Sequence, residues 1–212
     1  MIFDLDRPAT YLITPGEATH ANFDVSSAQI LETVRIAVEE NVSLIQLREK
    51  RLTAGQLFDL AKRAADIVRG TATRLVVNDR ADIATAAGAD GVHLTSSSMS
   101  PTIVRRIFPR EIIIAKSTHS IEDVRLAARD GANLAVFGPV FETPGKGSAK
   151  GLEQLAKVCI EVYPFPVIGL GGIDMTNYGS VIQAGAAGFA AIRLLNEHES
   201  MRRVSRELDN RC

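Results

Sequence analysis

Short apolar segments alternate with longer amphipathic segments along almost the whole chain. Each short segment is nearly continuous in its apolar character, which is typical of strands buried on both faces of a parallel sheet. The predicted strands span residues 10–14, 43–47, 74–77, 91–94, 112–115, 134–137, 167–170 and 188–192. Between them, apolar residues recur with the period of a helix. The predicted helices span residues 27–40, 53–69, 81–87, 100–108, 121–130, 152–162 and 177–184, and a last helix begins near residue 196.

Residues that start and stop helices agree with these boundaries. Thr53 stands before Ala-Gly-Gln, and Ser120 is followed closely by two carboxylates that favour a first helical turn. Glycines that can end a helix in the left-handed conformation follow four of the predicted helices, at Gly70, Gly88, Gly131 and Gly185.

The number of strand–helix units predicts the fold class. Eight such units in 212 residues are typical of a closed barrel. An open doubly wound sheet is the main competitor, but the turn after the first strand, Pro15-Gly16-Glu17, lacks the GxGxxG pattern common in that fold. We therefore predict an α/β protein, a (β/α)8 TIM barrel in which residues 1–212 form a single domain.

Composition and charge exclude several classes of protein. Hydrophobic residues make up 46% of the chain, and the formal net charge is −1, so neither disorder nor binding to nucleic acid or a membrane surface is favoured. The two cysteines, Cys159 and Cys212, form neither a metal-binding spacing nor a disulfide framework. No apolar run approaches a membrane span, and the N-terminus lacks a secretory signal, so we expect a cytoplasmic protein.

A Gly- and Pro-rich loop after the sixth predicted strand, residues 137–151, is suited to a phosphorylated ligand. Backbone N–H groups and the hydroxyl of Thr143 can donate hydrogen bonds to phosphate, and Lys146 supplies a positive charge. An ordinary surface loop would have a similar composition, so this segment alone leaves both interpretations open. The loops that follow the other strands favour the first interpretation, because in a barrel they meet at one end.

Polar residues follow the second and third strands at the same end of the predicted barrel. Alternation along an extended chain places Gln46, Arg48 and Lys50 on one side, where they would form an anion site. The alternative is a surface charge cluster paired through Glu49. After the third strand, Asn78 can read a heterocycle edge and Asp79 can bind Mg²⁺, although either residue could instead cap the next helix.

The later strands add candidates of the same kind. His93, in the fourth strand, is expected to be a structural histidine, whereas Ser117 and His119 are candidates for ligand contact or proton transfer. At the seventh strand, Gly172 would let an anion approach the backbone, and Arg193 follows the eighth strand. The sequence contains no Ser-His-Asp order, no paired catalytic carboxylates and no HExxH motif, so hydrolase chemistry is poorly supported.

The ordered segments QLREK, NDR, GVHL, STHS, FGPVFET with a following Lys, IGLGGI and AGAAGFA resemble the thiamine phosphate synthase family and its relative, the thiazole tautomerase (TenI-like) branch. The resemblance runs from Tyr11 to Leu195. It implies a transferase that joins hydroxymethylpyrimidine diphosphate to a thiazole phosphate and releases pyrophosphate. It also implies small phosphorylated partners and Mg²⁺ as the cofactor, and it is compatible with a homodimer.

The resemblance assigns roles residue by residue. The diphosphate substrate would contact Gln46, Arg48, Lys50, Asn78, Ser117 and Lys146, with Mg²⁺ at Asp79. The thiazole phosphate would contact Thr143, Gly172 and the backbone at Ile192 and Arg193. Lys146, His119 and Ser117 are the catalytic candidates, and in a tautomerase His119 would be the acid/base.

Three departures from the synthase pattern keep two alternatives open. Ser98 stands where the synthase pattern has a second Mg²⁺-binding Asp, which weakens the expected metal site. The loop reads Thr143-Pro144-Gly145-Lys146 rather than T-x-T-K, and Arg193 replaces a Ser. The alternatives are a tautomerase that shifts a proton on a thiazole carboxylate phosphate, and a non-catalytic barrel that binds phosphorylated ligands.

Overall fold

Eight parallel strands close into a barrel in the computed structural model, which describes residues 7–143, 145 and 148–210. The strands are β1 (Ala9–Ile13), β2 (Leu44–Leu47), β3 (Arg74–Asn78), β4 (Gly91–Leu94), β5 (Ile113–Thr118), β6 (Leu134–Phe137), β7 (Val167–Leu170) and β8 (Gly188–Ala191). Each strand pairs with the next along the chain, and β8 pairs with β1, where Tyr11 lies opposite Ala190. The predicted TIM-barrel fold is thereby confirmed.

Helices follow the strands and cover the outside of the barrel. They are α1 (Phe23–Glu39), α2 (Ala54–Val68), α3 (Ala81–Ala87), α4 (Pro101–Ile107), α5 (Ile121–Arg129), α6 (Gly151–Val162), α7 (Tyr178–Gln183), α8 (Arg193–Asn196) and α9 (His198–Asp209). The largest apolar cluster lies between these helices and the strands, which is why the strands read as nearly continuous apolar runs.

A second apolar cluster fills the inside of the barrel. Its members are side chains that point inward from the strands, among them Ile13, Leu44, Val76, Leu134 and Ile168. The barrel interior is therefore a packed core, and the polar inward-facing side chains lie above it at the carboxyl ends of the strands.

The predicted helix signals match the local structure. Thr53 and Ser120 each form a capping box, with the side chains of Gln56 and Asp123 respectively. The glycines predicted to end helices, Gly70, Gly88, Gly131 and Gly185, all have positive φ. These signals worked because each depends only on the local backbone.

Three predicted boundaries need correction. Helix α1 begins at Phe23 rather than at residue 27. Strand β5 runs to Thr118 instead of ending at residue 115, because Lys116, Ser117 and Thr118 continue the register with β6. The single helix predicted from residue 196 is two helices, α8 and α9. Glu197 separates them in an extended conformation, and its carboxylate accepts hydrogen bonds from the first backbone N–H groups of α9.

Within the described residues, no helix is both long enough and apolar enough to cross a lipid bilayer.

Candidate functional site

A cavity of about 490 Å³ opens at the carboxyl ends of the strands, and every strand contributes to its wall. The predicted site residues that line this cavity are Gln46, Arg48, Lys50, Asn78, Ser117, His119, Thr143, Gly172, Ile192 and Arg193. Asp79 lies beside it, on the wall of an adjoining cavity of about 230 Å³ that shares Lys50 and Asn78. Lys146 and Pro144 lie outside the described residues. The remaining predicted residues are thus gathered around one mouth.

Arg48 and Lys50 face the cavity, whereas Glu49 between them points away from it. The Glu49 carboxylate is buried and accepts hydrogen bonds from Thr14 Oγ1 at 2.6 Å, from Gly16 N at 3.0 Å and from Ala18 N at 2.9 Å. It therefore anchors the loop after β1. The alternative of a surface cluster paired through Glu49 is wrong, because this carboxylate is committed to donors on the other side of the strand.

A chain of buried hydrogen bonds crosses the top of the barrel. Gln46 Nε2 lies 3.0 Å from the Tyr11 hydroxyl, which lies 2.9 Å from His93 Nδ1. The other ring nitrogen, His93 Nε2, lies 2.8 Å from Ser117 Oγ. Burial lowers the pKa of His93 to about 4 and raises the pKa of Tyr11 above its usual range, so both rings are neutral near pH 7.

His93 and Tyr11 are the residues that sequence reasoning missed. His93 has the fully bonded ring expected of a structural histidine, with Tyr11 and Ser117 as its partners, but the residue also lines the cavity, which was not predicted. The available signal was alternation: His93 has the register of inward-facing residues on β4, opposite Asn78 and Ala115. Tyr11 gave no comparable signal, since a tyrosine within an apolar strand is ordinary.

Asp79 has left-handed backbone geometry, with φ of 60°, which is uncommon for a residue with a side chain. Its carboxylate accepts hydrogen bonds from Thr95 N at 3.2 Å, from Asn78 Nδ2 at 2.8 Å and, at short range, from the Ser98 hydroxyl. Burial alone would raise the pKa of Asp79, but the hydrogen bonds from Ser98, Thr95 and Asn78 outweigh it and lower the pKa. Neither Asn78 nor Asp79 caps α3, whose N-cap is Arg80 without a side-chain bond, so that alternative is wrong.

The donors around Asp79 decide how a divalent ion could bind. No group of three or more His, Cys, Asp or Glu residues that could hold a metal occurs in the part of the chain that the structure describes. Asp79 contributes one carboxylate, and the Thr95 and Ser98 hydroxyls add neutral oxygens. Asn78 Oδ1 is buried and has no hydrogen-bond partner among the described residues. Mg²⁺ is commonly held by one or two carboxylates together with water and substrate phosphates, so this set fits an ion that arrives with a diphosphate.

The geometry of His119 fixes its tautomer. Its Nδ1 lies 2.6 Å from the carbonyl oxygen of Gly138, which can only accept a hydrogen bond. The neutral ring must therefore carry its proton on Nδ1 and leave Nε2 with a lone pair. Thr143, by contrast, donates its hydroxyl to the Phe141 carbonyl at 3.1 Å, so a ligand would have to compete for that proton.

The opposite wall, over β7 and β8, is built from backbone. Gly171 and Gly172 have φ of 108° and 64°, and Ile192 and Arg193 continue the wall beyond β8. A Cβ at Gly172 would lie 2.6 Å from the Glu142 carbonyl oxygen. The missing side chain at Gly172 therefore lets the backbone of the loop after β6 pack against this wall, and Gly172 itself lines the cavity.

Comparisons with known proteins agree on one family. The family model described as thiamine monophosphate synthase matches residues 10–195. A putative thiamine-phosphate synthase of Geobacter sulfurreducens is 38% identical over 182 residues, covering 84% of this chain and 85% of that one. A thiamine-phosphate synthase of Roseiflexus castenholzii is 35% identical, covering 90% and 82%.

Solved structures give the same result at the level of the fold. A thiamine phosphate pyrophosphorylase from Pyrococcus furiosus superposes with a TM-score of 0.81 at 30% identity, covering 97% of this chain and 96% of that one. A 3-hexulose-6-phosphate synthase superposes with a TM-score of 0.68 at 17% identity, covering 94% and 98%, and shares the fold alone.

Proposed function

Since the chain belongs to the thiamine monophosphate synthase family, we propose that it joins hydroxymethylpyrimidine diphosphate to a thiazole phosphate and releases pyrophosphate. The observation that carries this proposal is the single mouth in which Arg48 and Lys50 face the glycine-built wall at Gly172. One wall offers positive charge and hydrogen-bond donors to a diphosphate. The other offers open backbone to a second phosphorylated molecule.

The cationic wall would assist departure of the diphosphate. As the bond between the pyrimidine methylene carbon and the diphosphate oxygen breaks, its electron pair leaves with the oxygen, and negative charge grows there. Arg48 and Lys50 stabilise that charge, and the Ser117 hydroxyl donates a hydrogen bond to it. The methylene carbon is then captured by the lone pair of the thiazole nitrogen, which forms the new C–N bond.

The backbone wall would hold the thiazole phosphate close to that carbon. Gly172, Ile192 and Arg193 line this part of the cavity, where peptide groups and the Arg193 side chain can contact a phosphate. The role of this wall is to position the nucleophile, because two bound reactants meet far more often than two free ones. Thr143 would contact the thiazole phosphate and Lys146 the diphosphate, and these two roles rest on the family resemblance.

Magnesium would be held at Asp79, with the hydroxyls of Thr95 and Ser98 nearby and the diphosphate completing its shell. When bound, Mg²⁺ would neutralise part of the charge on the leaving group. The Asp79 carboxylate accepts a 2.8 Å hydrogen bond from Asn78 Nδ2 and so holds Asn78 in position. It would therefore support the cavity wall with or without bound Mg²⁺.

The decisive experiment is a reconstitution with both substrates. The protein, the pyrimidine diphosphate, the thiazole phosphate and Mg²⁺ should give thiamine phosphate and pyrophosphate in equal amounts, detected chromatographically. The Arg48→Met variant should give far less product and serves as the control for contamination by another synthase. If the folded protein at high concentration forms no thiamine phosphate, the proposed function is wrong.

The geometry of His119 favours a second candidate, a thiazole tautomerase. Its bond to the Gly138 carbonyl leaves Nε2 free to take a proton from a ligand in the cavity. A thiazole carboxylate phosphate should then isomerise in the presence of the protein, and His119→Gln should abolish that turnover. Undiminished isomerisation in the variant would exclude His119 as the base. Saturable binding of thiamine phosphate without turnover of either substrate set would indicate a non-catalytic barrel.

Three wider expectations remain predictions. We propose that residues 1–212 form one domain, that the protein is cytoplasmic, and that it forms a homodimer. Sedimentation of the purified protein would test the homodimer. Its partners would be small phosphorylated molecules, because the charge balance of the chain favours neither nucleic acid nor a membrane.

A further inference from the structure

The buried hydrogen-bond chain between Gln46 and Ser117 begins and ends at the cavity wall. Gln46, His93 and Ser117 line the cavity, whereas Tyr11 is 1% exposed and connects Gln46 to His93. Each hydrogen bond in the chain has one donor and one acceptor. If the buried Tyr11 hydroxyl accepted from both neighbours, its own proton would have no partner, so Tyr11 accepts from one neighbour and donates to the other, and the chain runs in one direction.

We propose that this chain is polarised from Gln46 towards Ser117, so that His93 carries its proton on Nε2 and Ser117 presents its own hydroxyl proton to the cavity. Gln46 Nε2–H donates to the Tyr11 oxygen, as the structure orients that amide. The Tyr11 hydroxyl proton is then free to be donated to His93 Nδ1, which must be unprotonated. His93 Nε2–H in turn donates to Ser117 Oγ and occupies one lone pair of that oxygen.

The opposite direction is also self-consistent, but it presents the wrong atoms to the proposed substrate. In that arrangement Ser117 donates to His93, so its lone pairs face the cavity beside the diphosphate oxygens. Gln46 would also need to turn its carbonyl oxygen to Tyr11, contrary to its observed orientation. In the proposed direction, the cavity instead receives a donor at Ser117 and an acceptor at Gln46 Oε1.

Tyr11 and His93 are therefore positioning residues rather than catalytic ones. Neither needs to gain or lose a proton during the reaction; together they orient two hydrogen-bonding groups on the wall. The consequence for substrate binding rests on the proposed function. The direction of the hydrogen bonds in the free protein does not, so the two can be tested separately.

Nitrogen-15 NMR of the free protein tests the direction itself. The chain contains four histidines, and the His93 signals are those missing from a His93→Gln sample labelled in the same way. We expect a pyridine-type Nδ1 and a pyrrole-type Nε2 at pH 7. A pyrrole-type Nδ1 would overturn the proposal, whether or not the protein makes thiamine phosphate. The expected tautomer in a protein without synthase activity would contradict only the proposed function.

Two matched variants test the effect on the cavity. The side-chain amide nitrogen of Gln reaches the place of a histidine Nε2, whereas that of Asn reaches the place of Nδ1. His93→Gln should therefore keep a donor to Ser117 and retain KM for the pyrimidine diphosphate within about twofold. His93→Asn removes that donor and should raise KM about tenfold. Equal effects of the two variants on KM, with both folded by circular dichroism, would overturn the positioning role.

Discussion

The two walls of the cavity recognise ligands in opposite ways. The side-chain wall, formed by Gln46, Asn78, His93 and Ser117, consists of polar groups that are largely buried and hydrogen-bonded to neighbouring residues. The backbone wall, formed by Gly171, Gly172 and Ile192, presents peptide groups, and a side chain at either glycine would collide with the loop after β6. Ligand recognition by the side-chain wall therefore depends on which atom carries each proton. Recognition by the backbone wall depends on how much volume each residue occupies.

This difference predicts how each wall responds to change. On the side-chain wall, a substitution that keeps the right donor at the right atom should be tolerated even when the residue type differs. On the backbone wall, even one added methyl group should be harmful, because it meets other backbone atoms that cannot move aside. Substitutions on each wall therefore test whether the two walls recognise ligands in these different ways.

The largest effect is expected for Gly172→Ala on the backbone wall. The new Cβ would lie 2.6 Å from the Glu142 carbonyl oxygen and 2.7 Å from Phe141 Cβ, in a residue with φ of 64°. Backbone strain and overpacking together should lower the free energy of unfolding by about 3 kcal/mol. Chemical denaturation measures this change, and binding of the thiazole phosphate should fall with it.

Gly70→Ala is the matched control for that variant. Gly70 also has positive φ, at 79°, but a Cβ there would meet nothing within 4 Å. It should cost only the backbone strain, about 1 kcal/mol, and leave ligand binding unchanged. Equal losses of stability in the two variants would show that the close approach at Gly172 has no energetic consequence.

The next largest effect is a loss of folding stability at low pH, caused by His93 on the side-chain wall. Burial lowers the folded-state pKa of His93 to about 4 from an ordinary value of 6.5, so below pH 6.5 the unfolded chain binds a proton that the folded protein does not. Stability from this residue is therefore present above pH 6.5 and is lost progressively as the pH falls towards 4. The loss should approach about 3 kcal/mol. Denaturation curves between pH 7 and pH 4 measure it.

His93→Gln provides the comparison, because glutamine does not titrate. The difference in stability between wild type and variant should shrink as the pH falls through that window. A constant difference would mean that His93 already titrates at its ordinary pKa in the folded protein, and the buried chain of hydrogen bonds would then open in mild acid.

A smaller effect is expected for Arg48→Met, which keeps an unbranched apolar stem but removes the guanidinium group and its charge. Loss of charge-assisted hydrogen bonds should weaken binding of inorganic pyrophosphate by about 10- to 100-fold. Isothermal titration calorimetry measures it. The control is Arg69→Met, which removes an exposed arginine paired with Asp66 on the helical face of the barrel. Similar losses in both variants would indicate a general charge effect rather than a site.

The fold was predictable because its signals are local and repeated. Eight short apolar runs, the capping boxes at Thr53 and Ser120, and the glycines that end helices each follow from a few neighbouring residues. The cluster at one end of the barrel followed from the fold, since the βα loops must meet there. Gln46 and Ser117 could thus be assigned to the cavity from their positions along the chain alone.

The parts that escaped prediction depend on contacts between distant residues. Glu49 accepts donors from the loop after β1, and Tyr11 reaches His93 across 82 positions of the chain. Alternation places Glu49 on the other side of the strand from Arg48 and Lys50, but nothing near it in sequence reveals its partners Thr14, Gly16 and Ala18. Similarly, the sequence leaves Asp79 as either a Mg²⁺ ligand or a helix cap, and only the contacts with Thr95 and Ser98 show where its oxygens are used.

The smallest effect is expected for the affinity for Mg²⁺ at the edge of the side-chain wall, where Ser98 contacts Asp79. Ser98 donates its hydroxyl to Asp79, so Ser98→Asp would place a second carboxylate against the first. Without metal, the two like charges should repel each other and lower the melting temperature slightly. With Mg²⁺ and pyrophosphate, the added charged oxygen should tighten Mg²⁺ binding about tenfold. Calorimetric titration of Mg²⁺ into protein saturated with pyrophosphate measures the change.

Ser98→Ala is the control, because it removes the hydroxyl without adding charge and should not tighten Mg²⁺ binding. If Ser98→Asp binds Mg²⁺ no more tightly than Ser98→Ala, the ion does not lie beside Asp79, and this carboxylate serves only to hold Asn78, Thr95 and Ser98 in place.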